Sequence, residues 1–290
     1  MRHYRSDDDD SARWQGFPFR EGDIVISTRS KSGTTWMQMV CALLVLGTPD
    51  LPRPLSELSP WVDHAIEPVQ DVFARLEAQP HRRFVKTHTP LDGIPLDERA
   101  TYVVVGRHPL DLAVSLYHQG DNIDRQRLAE LTGVPARPAA ARPPVHDWLV
   151  RWTLDETTAL EQPDSLVGVL HHLTDAWSRS ATADNIVLVH YADLLTDLPG
   201  EMQRLADRLG ITVAACGISD LAEAATFARM RARSGEVTPD TLGVLKDSAA
   251  FFRAGRSGSG RELLTPDELA AYEQRVARLA PPEVLTWLHR

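Results

Sequence analysis

A short apolar run, a polar loop and a long apolar run follow one another near the start of this chain and constrain its fold most. DIVIST (23–28) predicts a buried strand, and the residues from about Thr34 to Leu46 predict a helix that ends near Gly47. Between them lies RSKSGTT (29–35), which is rich in hydroxyl groups and carries two cations. Such a loop collects unpaired backbone N–H groups, so it is either an anion site or an ordinary turn.

Strands and helices alternate along the rest of the chain. RFVKTH (83–88), TYVVVGR (101–107) and NIVLVHY (185–191) predict three more strands, and the second of these has the continuous β-branched run of a buried parallel strand. A helix starts at Pro109, which favours the first helical turn, and another stops at Gly210. We therefore expect an α/β fold with a P-loop-like parallel sheet flanked by helices on both faces.

Two stretches depart from this alternation. Residues 1–19 contain the run Asp7 to Asp10, and we expect a flexible acidic end. Residues 20–290 are expected to form a single domain. Within it, the proline- and alanine-rich GVPARPAAARPP (133–144) predicts a mobile excursion near residues 120–150.

Composition excludes several classes of protein. The net charge of −9 argues against a nucleic-acid binder, although it leaves room for a local basic pocket. The two cysteines, Cys41 and Cys216, show neither metal-site nor disulfide spacing, which favours a reducing cytoplasm. The longest apolar run, MVCALLVLG, is too short to span a bilayer, and the amino terminus lacks an apolar signal core.

The loop residues suit phosphate chemistry. Gly33 lets the backbone approach a ligand closely, Ser32, Thr34 and Thr35 add hydroxyl donors, and Lys31 adds a full charge. The ATP-type loop requires G-x-x-x-x-G-K-[ST], whereas here Lys31 precedes the glycine. An ATP or GTP hydrolase is therefore disfavoured.

Four motifs in order carry a family resemblance. KSGTTW (31–36) resembles the 5′-phosphosulfate loop of the cytosolic sulfotransferases, which use 3′-phosphoadenosine 5′-phosphosulfate (PAPS) as donor. VKTHTP (85–90) is similar to the family's catalytic segment, RHPLDLAVS (107–115) to its 3′-phosphate segment, and FFRAGRSG (251–258) to its C-terminal loop. Longer stretches, such as SPWVDHAIEPV, resemble bacterial glycolipid sulfotransferases, and the resemblance covers the chain from about residue 20 to its end.

The resemblance implies three catalytic residues. His88 falls on the family's general base, and an imidazole suits removal of a hydroxyl proton near neutral pH. Taken alone, a histidine there more often caps or packs at a strand end. Lys31 falls on the lysine that stabilises charge on the leaving phosphate oxygen, and Lys86 would neutralise the sulfuryl oxygens. On composition alone, each lysine is a solvated surface residue.

The resemblance also implies donor-binding residues. Arg107 and Ser115 fall on the pair that binds the 3′-phosphate, and Ser115 reaches it only if its helix starts near Pro109. Arg253, Ala254 and Gly255 would close over the same phosphate. The adenine contacts implied are Trp36, Tyr191 and, more weakly, Phe227, which are otherwise ordinary core aromatics.

Two positions depart from the family pattern. Arg29 opens RSKSG where the family reads YPKSG, so it either adds charge near the sulfate or faces solvent. Ala254 stands in place of a lysine, which removes one phosphate contact, and either Arg256 or Arg261 substitutes for it.

The sequence thus predicts a cytoplasmic enzyme that moves a sulfuryl group in line from PAPS to the hydroxyl of a glycolipid or other apolar alcohol or phenol. PAP (adenosine 3′,5′-bisphosphate) and a sulfate ester are the products. No metal, nucleic-acid partner or transmembrane segment is expected, transient membrane contact is compatible with a lipid acceptor, and the oligomeric state is unreadable. The alternatives are a small-molecule kinase with an atypical phosphate loop and a nucleotide-binding homologue without catalysis.

Overall fold

Four parallel strands form the centre of the molecule. The computed structural model describes residues 1–6, 8–133, 135, 142–213, 217–240 and 242–290. The strands are β1 (Ile24–Ser27), β2 (Phe84–Thr87), β3 (Thr101–Gly106) and β4 (Ile186–His190), in the order β2-β1-β3-β4. In register, Ile24 of β1 lies between Phe84 of β2 and Thr101 of β3.

Helices connect and cover these strands. Helix α1 occupies the span predicted for it because Gly47, at a φ of 65°, ends it in the left-handed conformation. The helical bounds are α1 Thr34–Leu46, α2 Leu55–Leu58, α3 Val69–Glu77, α4 Pro109–Asn122, α5 Arg125–Thr132, α6 Val145–Leu154, α7 Leu166–Ser180, α8 Tyr191–Thr196, α9 Leu198–Leu209, α10 Gly217–Ala224, α11 Phe227–Ala232, α12 Ser234–Val237, α13 Pro266–Leu279 and α14 Pro282–Leu288.

The core lies on both faces of the sheet. Alternate strand residues point to opposite faces. Ile24 and Ile26 join one buried cluster with α1, α9 and α10, whereas Val25 joins a second cluster with α4, α7 and α13. This confirms the predicted parallel α/β sheet with helices on both faces.

The amino-terminal segment differs from the expected flexible end. Residues 1–6 and 8–14, called the N-terminal strap below, pack on the domain, with Trp14 fully buried and Tyr4 4% exposed. Asp9 forms an isolated antiparallel bridge with His64, and the backbone N–H of Asp10 donates to the Asp63 carbonyl at 2.8 Å. Backbone pairing and two buried rings therefore override the acidic composition that suggested disorder.

The region around residues 120–150 also differs from the expected break in the pattern. Helix α4 continues to Asn122, α5 follows, and α6 begins at Val145. Backbone bonds tie the start of α5 to a later loop, because the N–H of Asp124 donates to the Val244 carbonyl at 2.7 Å. Residues 134 and 136–141 of the predicted excursion lie outside the described residues, and its mobility stays a prediction.

Two further features concern the environment of the chain. Cys41 is a buried free thiol, and burial raises its pKa to about 12, whereas Cys216 lies outside the described residues. In the described part of the chain, every helix is too short or too polar to cross a bilayer.

Candidate active site

A cavity of about 550 Å³ opens where the strands end. The carboxyl ends of parallel strands meet at one edge of a sheet, which is where ligands bind in such folds. All but one of the residues predicted for the site line this cavity. They are Lys31, Gly33, Thr34, Thr35, Trp36, Lys86, His88, Arg107, Ser115, Tyr191, Phe227, Arg253, Ala254 and Gly255. Ser32 does not line it, because it is buried in a turn where its N–H donates to the Arg29 carbonyl at 3.1 Å.

The loop between β1 and α1 requires a glycine at position 33. Gly33 has a φ of 108°, and a Cβ built there would lie 2.9 Å from Cδ2 of Tyr191. Lys31 also lies in the left-handed region, with a φ of 64°. The loop thus turns its backbone toward the cavity immediately before the N-terminus of α1, where N–H groups and the helix dipole attract an anion.

The ammonium group of Lys31 lies among polar and aromatic groups and other cations. Its Nζ donates to Oε1 of Gln119 at 3.1 Å and lies 3.8 Å from the centroid of the Phe251 ring. Burial and the nearby charge of Arg107 lower the pKa of Lys31 to about 7. A bound anion favours the charged ammonium and offsets this lowering, so the pKa of Lys31 should rise when an anionic ligand enters.

His88 is held in one tautomer at the end of β2. Its Nδ1 lies 2.7 Å from the Thr28 carbonyl oxygen, which can only accept, so Nδ1 carries the proton and Nε2 is left as a free base. Burial and the positive charges of Lys86 and Arg29 hold the pKa of His88 well below its usual range. The imidazole is therefore neutral at pH 7 and able to accept a proton.

Trp61 links the two reactive side chains of β2. The Lys86 ammonium lies 3.6 Å from the Trp61 ring centroid, and the His88 ring meets the same indole edge-on at 4.8 Å. His64 stacks on the indole from another side, at 4.4 Å. Burial lowers the pKa of Lys86 to about 8. This aromatic contact fixes the spacing between the ammonium and the imidazole and places no formal charge beside either.

Asp63 fixes the backbone around His88. The carboxylate is fully buried, and its Oδ2 accepts hydrogen bonds from the hydroxyls of Thr87 at 2.9 Å and Thr89 at 2.8 Å. The same oxygen accepts from the backbone N–H of His88 at 3.3 Å. Asp63 is therefore a positioning residue that binds all three consecutive residues at the end of β2.

Arg107 spans three parts of the site. Its guanidinium donates to the Lys31 carbonyl at 2.9 Å and to the Arg256 carbonyl at 3.3 Å, and lies 4.4 Å from the Tyr191 ring centroid. Its Nε is buried and has no hydrogen-bond partner among the described residues. Ser115 lies on α4, which starts at Pro109 as its predicted role requires. A donor aimed at no acceptor is typical of a site built for an anion.

Aromatic rings line another part of the cavity. Trp36 meets Tyr191 edge-on at 5.2 Å, and its indole N–H donates to the Ala225 carbonyl at 2.8 Å. Phe227 packs so closely on Gly255 that an added Cβ would lie 2.5 Å from the ring. These rings offer flat apolar area beside the cations.

The structure gives different outcomes for the two departures from the family pattern, at Arg29 and at Ala254. Arg29 does not face solvent: it is 5% exposed, pairs with Asp164 at 2.7 Å and donates to the His88 carbonyl. Neither Arg256 nor Arg261 takes the place of the lysine missing at Ala254. Both are exposed and remain outside the cavity lining, because Arg256 lies 3.4 Å from Glu262 and Arg261 lies 3.2 Å from Glu273.

Comparison with known proteins identifies the family. The sulfotransferase domain family matches residues 21–280. The chain belongs to the sulfotransferase family. It is 42% identical over 306 residues to a glycolipid sulfotransferase of Mycobacterium bovis, covering 99% of this chain and 93% of the relative. A glycolipid sulfotransferase of Mycobacterium tuberculosis is 43% identical over 305 residues, with the same coverage of both chains.

A solved structure supports the fold of this sulfotransferase. A retinol dehydratase in complex with retinol and PAP superposes with a TM-score of 0.70 at 23% identity, covering 93% of this chain and 84% of that one. The family match and the relatives confirm the predicted resemblance and the assignment as a sulfotransferase enzyme, the solved structure confirms the fold, and the kinase alternative is not favoured. Within the described residues, no group of three or more His, Cys, Asp or Glu side chains is placed to hold a metal.

Several residues of the sulfotransferase site were not predicted from sequence. Trp61, Asp63 and His64 all come from the stretch SPWVDHAIEPV, which carried the family resemblance without any assigned role. Gln119 lies one helical turn beyond the predicted Ser115, and Asp9 belongs to the acidic run. The available signal was the position of Trp61 and its neighbours within a motif, whereas nothing local marked Gln119 or Asp9.

Proposed function

We propose that this sulfotransferase uses PAPS as its donor and transfers the sulfuryl group to a hydroxyl of a glycolipid or another apolar alcohol or phenol. The observation that carries the proposal is the group of cations around one cavity in a chain of net charge −9. Burial, and after it the positive charge of Arg107, lower the pKa values of Lys31 and Arg253, so a ligand that brings counter-charge is favoured beside them. A nucleotide with two phosphate groups and a sulfonate would supply it.

The residues present suit the parts of this nucleotide. The N–H groups at the start of α1, with Thr34 and Thr35, would hold the 5′-phosphosulfate. Arg107, with its unpartnered Nε, would grip the 3′-phosphate together with Ser115 and the loop at 253–255. Trp36, Tyr191 and Phe227 would contact adenine. The relative solved with PAP has the same fold, which supports this assignment.

The bound donor would supply a sulfuryl group already activated by a phosphate leaving group. Nε2 of His88 accepts the proton of the acceptor hydroxyl as the oxygen–sulfur bond forms and the bond from sulfur to the phosphate oxygen breaks. Lys31 stabilises the negative charge that collects on the departing oxygen, and Lys86 that on the sulfuryl oxygens. PAP and a sulfate ester leave, and no bond to the protein forms.

An apolar wall supports an acceptor with an alkyl or aromatic portion. Beyond Gln119 and Phe251, the cavity is lined by Ile123, Leu128, Leu242 and Leu245. Ile123 and Leu245 face each other across an isolated antiparallel bridge. The curated relatives described as glycolipid sulfotransferases support an amphiphilic acceptor of this kind. Cytoplasmic location and transient membrane contact stay predictions from sequence.

Thermal denaturation with three ligands tests the donor assignment. PAP and PAPS at 100 times their dissociation constants should each raise Tm by about 5 °C, since such saturation stabilises by about 2.7 kcal/mol. ATP with Mg²⁺ should leave Tm unchanged within 1 °C or so, on the order of the scatter of such scans. Stabilisation by ATP with Mg²⁺ and not by PAP would refute the assignment and favour a kinase.

A further inference from the structure

A second, smaller cavity adjoins the active site beside His88. Its volume is about 20 Å³, and it shares Ser6, Asp9, Arg29, His88 and Pro163 with the large cavity. This volume holds a single water or a group of that size, such as a hydroxyl. The N-terminal strap supplies one side of it and Asp63 lies on another. The small cavity is therefore a polar recess within reach of the reacting centre.

The two carboxyl groups that line this recess each have one oxygen without a partner among the residues that the structure describes. Asp63 is fully buried, and while its Oδ2 accepts three hydrogen bonds, its Oδ1 accepts none from any described residue. Asp9, on the strap, likewise has a buried Oδ1 that is unpartnered within the described part of the chain. Leaving two buried acceptors unpaired is costly, and one hydroxyl in the recess can pair with both only by donating to one carboxylate and accepting from the other carboxyl in its protonated form.

The charges around the recess favour a neutral donor. The positive charges of Lys86 and Arg29 act on both Asp9 and His88. An ammonium group in the recess would therefore be repelled by two nearby cations. Burial and the mutual repulsion of Asp9 and Asp63 raise the pKa of Asp9 well above its usual range. A hydroxyl both donates and accepts, so it suits a carboxyl pair in either protonation state.

The recess is held in place by backbone pairing. The bridge between Asp9 and His64 sets the strap next to the segment that carries Asp63, and the N–H of Ala65 donates to the Asp8 carbonyl at 2.7 Å. The hydroxyl of Tyr4 anchors the strap's other end on Asp92 at 2.8 Å. The position of Asp9 relative to His88 is thus fixed by the same segment that positions His88.

We propose that this recess is a hydroxyl subsite, which binds a second hydroxyl of the acceptor next to the hydroxyl that approaches His88. The acceptor is accordingly a polyol, such as a sugar head group, in preference to a monohydric alcohol or a phenol. The inference rests on the proposed function, because it takes His88 as the base that meets the reacting hydroxyl. It assigns to the strap and Asp9 a role in choosing the acceptor.

Two acceptors of equal alkyl length test the subsite. With PAPS as donor, an alkyl glucoside should show a kcat/KM about 10-fold or more above that of the corresponding alkanol, because only the glucoside brings a second hydroxyl to the two carboxyl groups, whereas a water fills the recess when the alkanol binds. Asp9→Ala should lower the ratio of kcat/KM for the glucoside to that for the alkanol by about 10-fold or more, whatever its effect on the rate common to both acceptors. PAP affinity of the variant should match that of the wild type.

Asp10→Ala is the matched control. Asp10 is one residue further along the strap, faces His3 and the N–H of Ala12, and lines neither cavity. The substitution Asp10→Ala removes a carboxylate and loosens the strap, but it should leave the ratio of kcat/KM between the two acceptors unchanged. An equal loss for both acceptors in Asp9→Ala, or the same change of ratio in Asp10→Ala, would contradict the subsite.

The remaining outcomes separate the subsite from the proposed function. Wild-type protein that binds PAP and sulfates the alkanol or a phenol as well as the glucoside would refute the hydroxyl subsite and leave the sulfuryl transfer intact. Preference for an amino alcohol over the glucoside would also refute it. Failure to bind PAP at all would instead refute the donor assignment on which it rests.

Discussion

The Arg107 guanidinium donates a hydrogen bond to the carbonyl oxygen of Lys31 at 2.9 Å. Arg107 follows β3 and Lys31 follows β1, so this bond ties the ends of two neighbouring strands. The same guanidinium reaches the Arg256 carbonyl and the face of Tyr191. The guanidinium of Arg107 therefore joins the loop that carries Lys31, the segment that carries Arg256 and the ring of Tyr191.

Replacing Arg107 should weaken donor binding selectively. In Arg107→Ala, PAP affinity should fall by about 10- to 100-fold, because a charge-assisted pair of bonds to the 3′-phosphate is lost. Arg107→Lys should retain only part of the PAP affinity, because an ammonium cannot form two parallel hydrogen bonds to the phosphate as a planar guanidinium does. Calorimetry with PAP and with adenosine 5′-phosphate checks this. An unchanged preference for PAP over adenosine 5′-phosphate in Arg107→Ala would contradict the assignment.

Replacing His88 should separate binding from chemistry. His88→Ala should lower kcat by about 10²- to 10⁴-fold, because the hydroxyl proton then lacks a base, while PAP affinity stays within about 2-fold. Steady-state assays with PAPS, alongside PAP titration, measure both quantities. Turnover near that of the wild type in a folded His88→Ala protein would exclude His88 as the base.

Donor binding should take up protons at alkaline pH. In the free protein, the pKa of Lys31 is about 7 and that of Lys86 about 8, both lowered mainly by burial. An anion beside them raises both pKa values, so at pH 8 lysines that were neutral become charged and PAP binding takes up on the order of one proton. Calorimetry at pH 8 in buffers of different ionisation enthalpy measures the uptake.

The control for this pH effect is Lys31→Arg. Arginine keeps its charge at pH 8 in the free protein, so the variant should take up fewer protons than the wild type on binding PAP. Net proton release at pH 8, or equal uptake by Lys31→Arg and the wild type, would refute the charge assignment for this lysine.

Gly33 should be irreplaceable in the loop. Gly33→Ala should lower the free energy of unfolding by about 1–2 kcal/mol, because an alanine is strained at a φ of 108° and its Cβ meets Tyr191 at 2.9 Å. Gly235→Ala, in helix α12 with open space around it, is the control and should be neutral or stabilising by about 0.5 kcal/mol. Urea denaturation compares the two variants, and equal stabilities would contradict this account of the loop.

Local pattern accounts for what the sequence predicted well. The strands and helix α1 were predicted because their apolar runs and end signals, such as Gly47 and Pro109, lie within the elements themselves. The residues that line the cavity were predicted from the resemblance of four motifs to the sulfotransferases, and the parallel sheet brings the motifs at its strand ends together. These inferences need no knowledge of which distant residues meet.

Long-range pairing accounts for what the sequence did not predict. Asp9 is ordered by a bridge to His64, and Trp61 gains its role only by lying against Lys86 and His88. Neither relationship leaves a periodic signal in the local sequence. A run of aspartates reads as solvated because its buried partners lie more than fifty residues away.

A crystal structure of the protein with PAP tests the central claim most directly. The account predicts the 5′-phosphate at the backbone N–H groups that open α1, the 3′-phosphate on the Arg107 guanidinium, and Nε2 of His88 facing the open 5′ end. A nucleotide bound away from the carboxyl ends of the strands, or a His88 ring turned from the 5′-phosphate, would contradict it.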